Sequence, residues 1–380
     1  MTNTTGSYPD DEATTDLSLI STQDVGSGDG GAVDTGSSGG GRSGVEIYLI
    51  AFKITIGLIG MIGNLTVLLV IKQMATQKVK FLICSQAMID FLTSFVLVAD
   101  TFTTLYPTAP PQNIVIGYLY CWLWPTQLIL FGLFSASTWN LVAISIERYF
   151  AVMHAMWYRI NFSETKATVM GVIAWIIAPT MQITYVAIKR ERYVNGECID
   201  NKMPPTTQII VGVFIFLWDF FLPCMIMGFC FTRISLSLSE QDRQAKTMRA
   251  YTDKEMSTVS RKVSNNATDD AAAETRENKN KKRVTATKSD SMKKDTSAEM
   301  SRSRNVTQTF VKIFVVFVIC WITNQCLFFQ YNLGGYRIWG RPENHFANSM
   351  AILNSACNPF IYVLNMKAYR EKLRGFCKIS

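Results

Sequence analysis

Ionisable side chains interrupt several long apolar stretches of this sequence, and they offer the most chemistry. Glu147 and Arg148 are neighbours at the end of one stretch, while Asp90, Asp100 and Asp219 lie in or near the ends of others. A charge in an apolar helix is costly unless it finds a partner or faces a polar interior. A carboxylate in such a place can pair with a base, hold a hard cation, or meet the positive charge of a ligand. The pattern therefore predicts ion pairing and binding.

Catalysis finds little support in the remaining residues. The chain has 9 Cys and 2 His, with no Cys-x-x-Cys pair, which makes a metal cluster improbable. No combination of nucleophile and base stands out, so we predict that the protein is not an enzyme. An inverted repeat, as expected of a transporter, is not found either. The net charge of +8 gives no reason to expect nucleic acid, because the basic residues cluster in loops beside apolar segments.

These residues must be positioned by apolar helices. Hydrophobic residues make up 48% of the chain and charged residues only 17%, and the charges are concentrated between long apolar segments. Each segment has the length of about 20 residues that a bilayer requires. We therefore predict an all-α membrane protein, a bundle of seven transmembrane helices. The segments lie near 46–71, 79–105, 117–150, 166–188, 207–237, 306–331 and 344–365.

The segments between and beyond the helices differ in composition. The first residues are rich in Gly, Ser, Thr and Asp, and the sequon at Asn3 is a glycosylation site if this tail is extracellular. Lys and Arg crowd alternate loops, which places the amino terminus outside the cell. The predicted division is a disordered tail (1–45), helices one to five (46–237), a long basic disordered loop (238–305), helices six and seven (306–365), and a short amphipathic helix with a tail (366–380).

A recurrent set of polar and aromatic residues within these segments carries a resemblance. The set is Asn64, Asp90, Glu147-Arg148-Tyr149, Trp175, Pro223, Phe317 with Trp321, and Asn358-Pro359-Phe360-Ile361-Tyr362. In this order they resemble the rhodopsin-like G-protein-coupled receptors, and most of all the neuropeptide receptors among them. The resemblance covers about residues 46–377 except the long basic loop.

This resemblance implies a signalling receptor with a ligand outside the cell, and with a heterotrimeric G protein and arrestin as partners inside. Arg148 would be held by Glu147 at rest, and would meet the G protein after the sixth helix moves outward. Trp321 above Phe317 resembles the relay beneath the ligand. The implied coupling and activation residues are Glu147, Arg148, Tyr149, Phe317, Trp321, Asn358, Pro359 and Tyr362.

The resemblance also implies an ion site, a disulfide and a lipid anchor. No cofactor is required, but an allosteric sodium ion would have oxygen ligands; the alternative is a water-filled core with Asp90 protonated. Cys121 and Cys198 match the family's outer disulfide, and Cys377 is a palmitoylation site on the amphipathic helix, which would lie on the bilayer. The residues matching the sodium site are Asp90, Ser137, Asn354, Ser355 and Asn358.

The chain departs from the family pattern at several switch positions. Thr323 stands where the sixth helix usually has Pro, and Phe231 stands where the fifth usually has Tyr. Ser303 and Arg304 occupy the place of the acid that often faces the Arg of the third helix. The spacing from Cys121 to Arg148 is about two residues longer than usual, which predicts a bend near Pro125.

The ligand is the least determined part of the prediction. An amine receptor usually has an acid eighteen residues before the Arg, where this chain has Leu130, so we favour a neuropeptide over a non-peptide small molecule. A light-sensing pigment would need a Lys in the seventh segment, which has none. Asp219 is either a counter-charge for a ligand cation or a protonated acid bonded to a neighbouring helix. The predicted pocket comprises Asp100, Gln127, Leu130, Phe131, Asp219, Asn324, Gln325 and Phe328.

Overall fold

The structure, a computed structural model, describes residues 44–73, 78–106, 110–189, 192–199, 203–265, 276–334 and 342–379. The described chain is almost entirely helical, with two strands of three residues each. In chain order its elements are α1 (Gly44–Lys72), α2 (Lys80–Leu105), α3 (Ile114–Leu123), α4 (Leu128–Met153), α5 (Ala155–Asn161), α6 (Glu164–Lys189), β1 (Arg192–Val194), β2 (Glu197–Ile199), α7 (Pro205–Phe216), a π-helical turn (Leu217–Phe221), α8 (Leu222–Asn265), α9 (Arg276–Asn332), α10 (Pro342–Asn365) and α11 (Lys367–Ile379).

Six helices among the described residues are long and apolar enough to cross a membrane, and they match the first six predicted segments. The seventh segment forms α10, which has 24 residues but buries several polar side chains, among them Asn344, Asn354, Ser355 and Asn358. Its polarity reflects its place in the bundle, since costly polar groups face other helices instead of lipid. The observed architecture is therefore the predicted bundle of seven helices.

The helix α4 lies at the centre of the bundle. Sixteen of its residues are buried, from Leu130 to Arg148, and it packs against α2, α6 and α8. The helix α10 closes the bundle by packing against α1 and α9. A hydrogen bond from Asn64 Nδ2 to the Ser355 carbonyl oxygen, at 3.0 Å, ties α1 to α10. Functional side chains on α4 can therefore reach most of the bundle.

The third predicted segment is broken near Pro125, as its long spacing predicts. The helix α3 ends at Leu123, and α4 begins at Leu128 after a turn in which Gln127 has a φ of 52°. This left-handed conformation is uncommon for a residue with a side chain. The Leu128 amide donates to Thr126 Oγ1 at 3.3 Å, which gives the first turn of α4 a partner. The break offsets the two extra residues between Cys121 and Arg148.

A π-helical turn at Leu217–Phe221 interrupts the fifth crossing, and Asp219 lies in its middle. Pro223 has no backbone N–H, so it cannot bond the carbonyl oxygen four residues earlier. Beside it, the Leu222 amide bonds to the Leu217 carbonyl oxygen, five residues back, as in a π-helix. Such π-helical turns are frequent at functional sites.

Helix replaces disorder in most of the predicted long loop. The prediction of disorder for 238–305 is corrected: α8 continues to Asn265, and α9 begins at Arg276. The segment between them lies outside the described residues. Lys, Arg, Glu, Gln, Ala and Met are frequent in this part of the chain, and all favour helix. A high density of charge therefore did not prevent the crossing helices from continuing beyond the apolar segments.

Two small elements complete the ends of the bundle. At one end, β1 and β2 pair antiparallel through a turn at Asn195-Gly196, both with positive φ, as tight hairpins require. At the other end, α11 follows α10 and buries Tyr369. The helix α11 is strongly amphipathic, in agreement with its predicted position at a membrane surface.

Candidate functional site

The charged pair that the sequence singled out lies at the α11 end of the bundle. Glu147 is 0% exposed and Arg148 is 6% exposed, so both ions are shielded from water. Arg148 Nε and Nη2 both donate to the Glu147 carboxylate. A bidentate pair of this kind satisfies both charges where solvent cannot. The structure thus holds Arg148 beside Glu147, and the role of this pair in a resting receptor stays a prediction.

Tyr158 is a third member of this site that sequence reasoning missed. Its hydroxyl donates to Glu147 Oε1, and its ring stacks on Phe162 with centroids 4.8 Å apart. Burial and the nearby Glu147 charge raise the pKa of Tyr158, so the phenol remains a donor. Lys78 Nζ donates to the Tyr158 carbonyl oxygen at 3.1 Å and lies 4.8 Å from the centre of its ring. The loop before α2 therefore positions the helix α5 over the ion pair.

The start of the apolar part of α9, at Arg304, carries a different ion pair from the one that the family pattern would place there. Arg304 donates from Nη1 and Nη2 to the two carboxylate oxygens of Asp242 on α8. The side chains are 35% and 41% exposed, so solvent weakens their attraction. Arg304 thus ties α9 to α8, where the family's usual acid would tie it to Arg148. Ser303, predicted at the same place, has a side chain outside the described set.

Four hydrogen bonds converge on the carboxylate of Asp90 in the middle of the bundle. Asn358 Nδ2 donates to Oδ2 at 2.7 Å, and Ser137 Oγ donates to Oδ1 at 3.2 Å. Gln86 Nε2 supplies the other two, at 3.2 Å to Oδ1 and 3.1 Å to Oδ2. Ser355, predicted as an ion ligand, instead donates from Oγ to the Ile352 carbonyl oxygen at 2.9 Å. Asn354, also predicted as an ion ligand, is buried on the same helix.

Aromatic rings connect this polar centre to the rest of the core. The Trp321 ring lies 4.9 Å from that of Phe134 and 6.4 Å from that of Phe317. Among the described residues, neither Trp321 Nε1 nor the Tyr362 hydroxyl has a hydrogen-bond partner, although both are buried. Both groups are the polar ends of predicted switch residues, and their switching role stays a prediction.

The predicted ligand pocket is divided between separate places. Asp100, Gln127 and Leu130 line one cavity of about 10 Å³, close to the space that a single water needs. The charge of Asp100 interacts with that of Lys53 on α1. Phe131 packs at 6.3 Å from Phe134, ring to ring. The Asp100 carboxylate therefore already has a counter-charge within the protein, the Lys53 ammonium group.

Asp219 takes part in a second polar cluster. Ser135 Oγ donates to its Oδ1 at 2.6 Å, and Gln182 Nε2 donates to its Oδ2 at 2.7 Å, so the cluster joins α4, α6 and the π-helical turn. Asn324 Nδ2 donates to Asn348 Oδ1 at 2.9 Å, between α9 and α10. Gln325 is buried with an oxygen that lacks a partner among the described residues, and Phe328 is half-buried.

The disulfide end of the bundle is covered by the hairpin. Cys121 on α3 and Cys198 on β2 are joined, with Cα atoms 5.5 Å apart. Tyr193 on β1 donates its hydroxyl to the Pro111 carbonyl oxygen at 2.7 Å. Its ring lies so close to Gly117 that a Cβ there would come within 2.5 Å of it. The bridge and the Tyr193 contacts together fix the hairpin on α3.

Comparison with known proteins identifies the family. The profile of the family described as 7 transmembrane receptor (rhodopsin family) matches residues 63–362. The chain belongs to the rhodopsin-like family of G-protein-coupled receptors. It is accordingly a multi-pass membrane protein that binds a ligand and couples to a G protein, and it is not an enzyme. The coupling role of Glu147, Arg148 and Tyr149, and the roles of Asn358, Pro359 and Tyr362, remain predictions carried by the family motifs.

Individual relatives of this receptor are named for small molecules. It is 24% identical over 337 residues to "Octopamine receptor beta-2R" of Chilo suppressalis, covering 85% of this chain and 80% of the relative. It is 23% identical over 304 residues to "5-hydroxytryptamine receptor 1B" of Oryctolagus cuniculus, covering 77% and 75%. It is 28% identical over 220 residues to "Muscarinic acetylcholine receptor M3" of Gallus gallus, covering 56% and 33%. The predicted neuropeptide branch gains no support from these relatives.

Two predicted modification sites fall outside what the structure describes. Asn3 lies before the first described residue, and the side chain of Cys377 is not among those described. Glycosylation at Asn3 and palmitoylation at Cys377 therefore stay predictions.

Proposed function

We propose that this receptor responds to a small, non-peptide ligand that carries an amine, and that it transmits this signal to a heterotrimeric G protein. The observation that carries the proposal is the match to an octopamine receptor along 85% of the chain. Two further relatives are named for 5-hydroxytryptamine and acetylcholine, which are also cations. The basic residues beside the apolar segments support an orientation with the amino terminus and the disulfide end outside the cell, where such a ligand would arrive.

A ligand cation needs a counter-charge in the bundle, and this chain has Leu130 on α4 where an amine receptor usually has an acid. Of the two acids in the predicted pocket, Asp219 is a better candidate than Asp100. It is half-buried, and its two described hydrogen bonds use one acceptor position on each oxygen, while a carboxylate offers about four. Ser135 and Gln182 would hold the carboxylate in place and leave acceptor capacity for an ammonium group.

Asp100 provides a matched comparison. Its charge already interacts with Lys53, and the cavity that it lines has space for about one water. A ligand amine at Asp100 would have to compete with Lys53 for the same carboxylate. We therefore assign the counter-charge to Asp219 and a structural role to Asp100.

The test begins with a panel of amines, octopamine, 5-hydroxytryptamine and acetylcholine first, applied to cells that express the receptor with a G-protein activation sensor. For an amine that activates, Asp219→Asn should lower potency at least tenfold, which corresponds to about 1.4 kcal/mol. Asp100→Asn, at equal surface expression, should change potency much less. If both variants leave potency unchanged, the cationic-ligand proposal is wrong.

The neuropeptide reading is the second candidate, and Leu130 is the observation that favours it. A peptide could bring its own cation, from Arg, Lys or its amino terminus, to the same Asp219. A peptide panel run beside the amine panel separates the two proposals. Activation by a peptide alone, with no response to any amine, would decide for the neuropeptide.

A further inference from the structure

The side chain of Gln86 occupies the polar centre where the family resemblance implies a sodium ion. Gln86 lies on α2 one turn from Asp90 and is 0% exposed. Its Nε2 donates to both oxygens of the Asp90 carboxylate, at 3.2 and 3.1 Å, and to Ser137 Oγ at 2.5 Å. Sequence motifs did not single out Gln86, because nothing in its local pattern marks it as more than one polar residue in an apolar helix.

The orientation of the Gln86 amide follows from its second set of contacts. Asn140 Nδ2 donates to Gln86 Oε1 at 2.9 Å and to the Leu82 carbonyl oxygen at 3.0 Å. The amide oxygen of Gln86 therefore has a donor facing it, and the opposite orientation would set two donors against each other. The nitrogen is left to face Asp90 and Ser137.

The oxygen atoms that a cation would need already face hydrogen-bond donors. Oδ1 of Asp90 faces Ser137 and Gln86, and Oδ2 faces Asn358 and Gln86. Gln86 Nε2 has two hydrogens for three acceptors, so one of its hydrogens is shared. The Ser137 hydroxyl donates to Asp90 and accepts from Gln86.

The residues in place do not fit a sodium ion. A hard cation takes several oxygen ligands. The Gln86 amide instead turns its N–H groups toward Asp90 and Ser137, so it presents its positive end where the ion's charge would be. Ser355, a predicted ligand, donates from Oγ to the Ile352 carbonyl oxygen within its own helix and makes no described bond to Asp90.

We propose that Gln86 replaces the sodium ion in this receptor. Its amide supplies the partial positive charge that Asp90 needs and joins α2 to α4 through Ser137, while Asn358 joins α10 to Asp90. The receptor is therefore insensitive to sodium, and it keeps its polar centre together without an ion. The proposal does not depend on which ligand the receptor binds.

The experiment measures thermal unfolding of the purified full-length receptor in sodium, potassium and N-methylglucamine chloride at equal ionic strength. The midpoint of the unmodified receptor should be the same in all three salts. In Gln86→Leu, which removes the amide and keeps an apolar side chain of similar size, sodium alone should raise the midpoint by a few degrees, because an ion that binds only the folded state stabilises it. In Gln86→Leu/Asp90→Asn that rise should vanish, because the anionic ligand is gone.

Two results would overturn the proposal. One is a sodium-dependent rise in the unmodified receptor equal to that of Gln86→Leu. The other is a folded Gln86→Leu variant with the same midpoint in all salts, which would mean that something other than Gln86 excludes sodium. If Gln86→Leu fails to fold, Gln86→Met retains the length of the side chain, and the salt dependence of the unmodified receptor still decides the first point.

Discussion

The Glu147 carboxylate accepts hydrogen bonds from Arg148 on its own helix and from Tyr158 on α5. Both donors stabilise the buried Glu147 carboxylate, and if Arg148 couples to the G protein as predicted, they favour the arrangement in which it is withheld. A buried hydrogen bond to a charged group contributes about 1.5–3 kcal/mol, a large share of a conformational equilibrium. Tyr158 is therefore expected to set the basal activity of the receptor.

Tyr158→Phe removes the hydroxyl and keeps the ring that stacks on Phe162. Loss of the bond to Glu147 at the low end of its expected strength shifts the equilibrium about tenfold toward release of Arg148. We expect ligand-independent G-protein activation to rise by up to that factor at equal surface expression. Arg148→Ala should abolish activation, alone and in the Tyr158→Phe background. An unchanged basal signal in Tyr158→Phe would show that this bond does not restrain Arg148.

At the scale of elements, an ion pair holds α9 to α8. Asp242 and Arg304 are both partly exposed, and pairs of this kind contribute about 0.2–1 kcal/mol. The family resemblance predicts that α9 moves outward when a G protein binds. A pair between α9 and α8 opposes that movement only if the two helices separate. Its contribution to the resting state is therefore expected to be smaller than that of Tyr158.

Charge reversal tests this pair directly. Asp242→Arg and Arg304→Asp should each raise basal activation, because each places two like charges together. The rise should be smaller than in Tyr158→Phe, because solvent weakens this partly exposed pair. The double variant restores an opposite pair and should return to the level of the unmodified receptor. Basal signals from the two single variants that simply add in the double variant would show that Asp242 and Arg304 do not act as partners.

The hairpin and α3 form a second unit joined by one covalent bond, that between Cys121 and Cys198. Cys121→Ser and Cys198→Ser should each reduce ligand potency by releasing the hairpin. The double variant should be no worse than either single variant, since only one bond exists to be lost. Surface expression is measured in parallel to separate folding from binding. Losses that add in the double variant would argue for two independent roles.

At the scale of the whole molecule, α8 continues to Asn265 and α9 begins at Arg276, and the sequence along residues 238–305 is rich in Lys and Arg. Ser257 on α8 is exposed, and many further Ser and Thr occur along residues 245–300. Each phosphate would add about −1.5 to −2 charge. We propose that phosphorylated Ser and Thr of this region recruit arrestin.

Deletion of residues 245–300 should therefore slow ligand-induced internalisation while G-protein activation persists. A control variant keeps the full length and replaces the Ser and Thr of that region by Ala, which separates loss of phosphates from loss of helix. It should slow internalisation as much as the deletion does. Normal internalisation in both variants would show that arrestin is recruited elsewhere.

The sequence by itself determined the architecture of this receptor. Seven apolar segments of membrane length, with polar residues such as Asn64 and Asp90 within them, leave few arrangements that satisfy every buried polar group. The break near Pro125 also followed from sequence, because proline and a spacing two residues too long both act locally. Local properties of the chain were sufficient for these features. The helical continuation of α8 to Asn265, and of α9 back to Arg276, was missed because the composition was judged only by its charge.

Tertiary structure alone decided which polar residues meet. Gln86 reaches Ser137 across 51 positions of sequence, and Arg304 reaches Asp242 across 62. These partnerships depend on how each helix is rotated about its axis and how far it is shifted along its neighbours. Hydrophobic periodicity specifies a helix's buried face but not the opposing side chain at each level. For that reason the sequence named Asp90 and Asp219 as important, while the bundle determined what they bind.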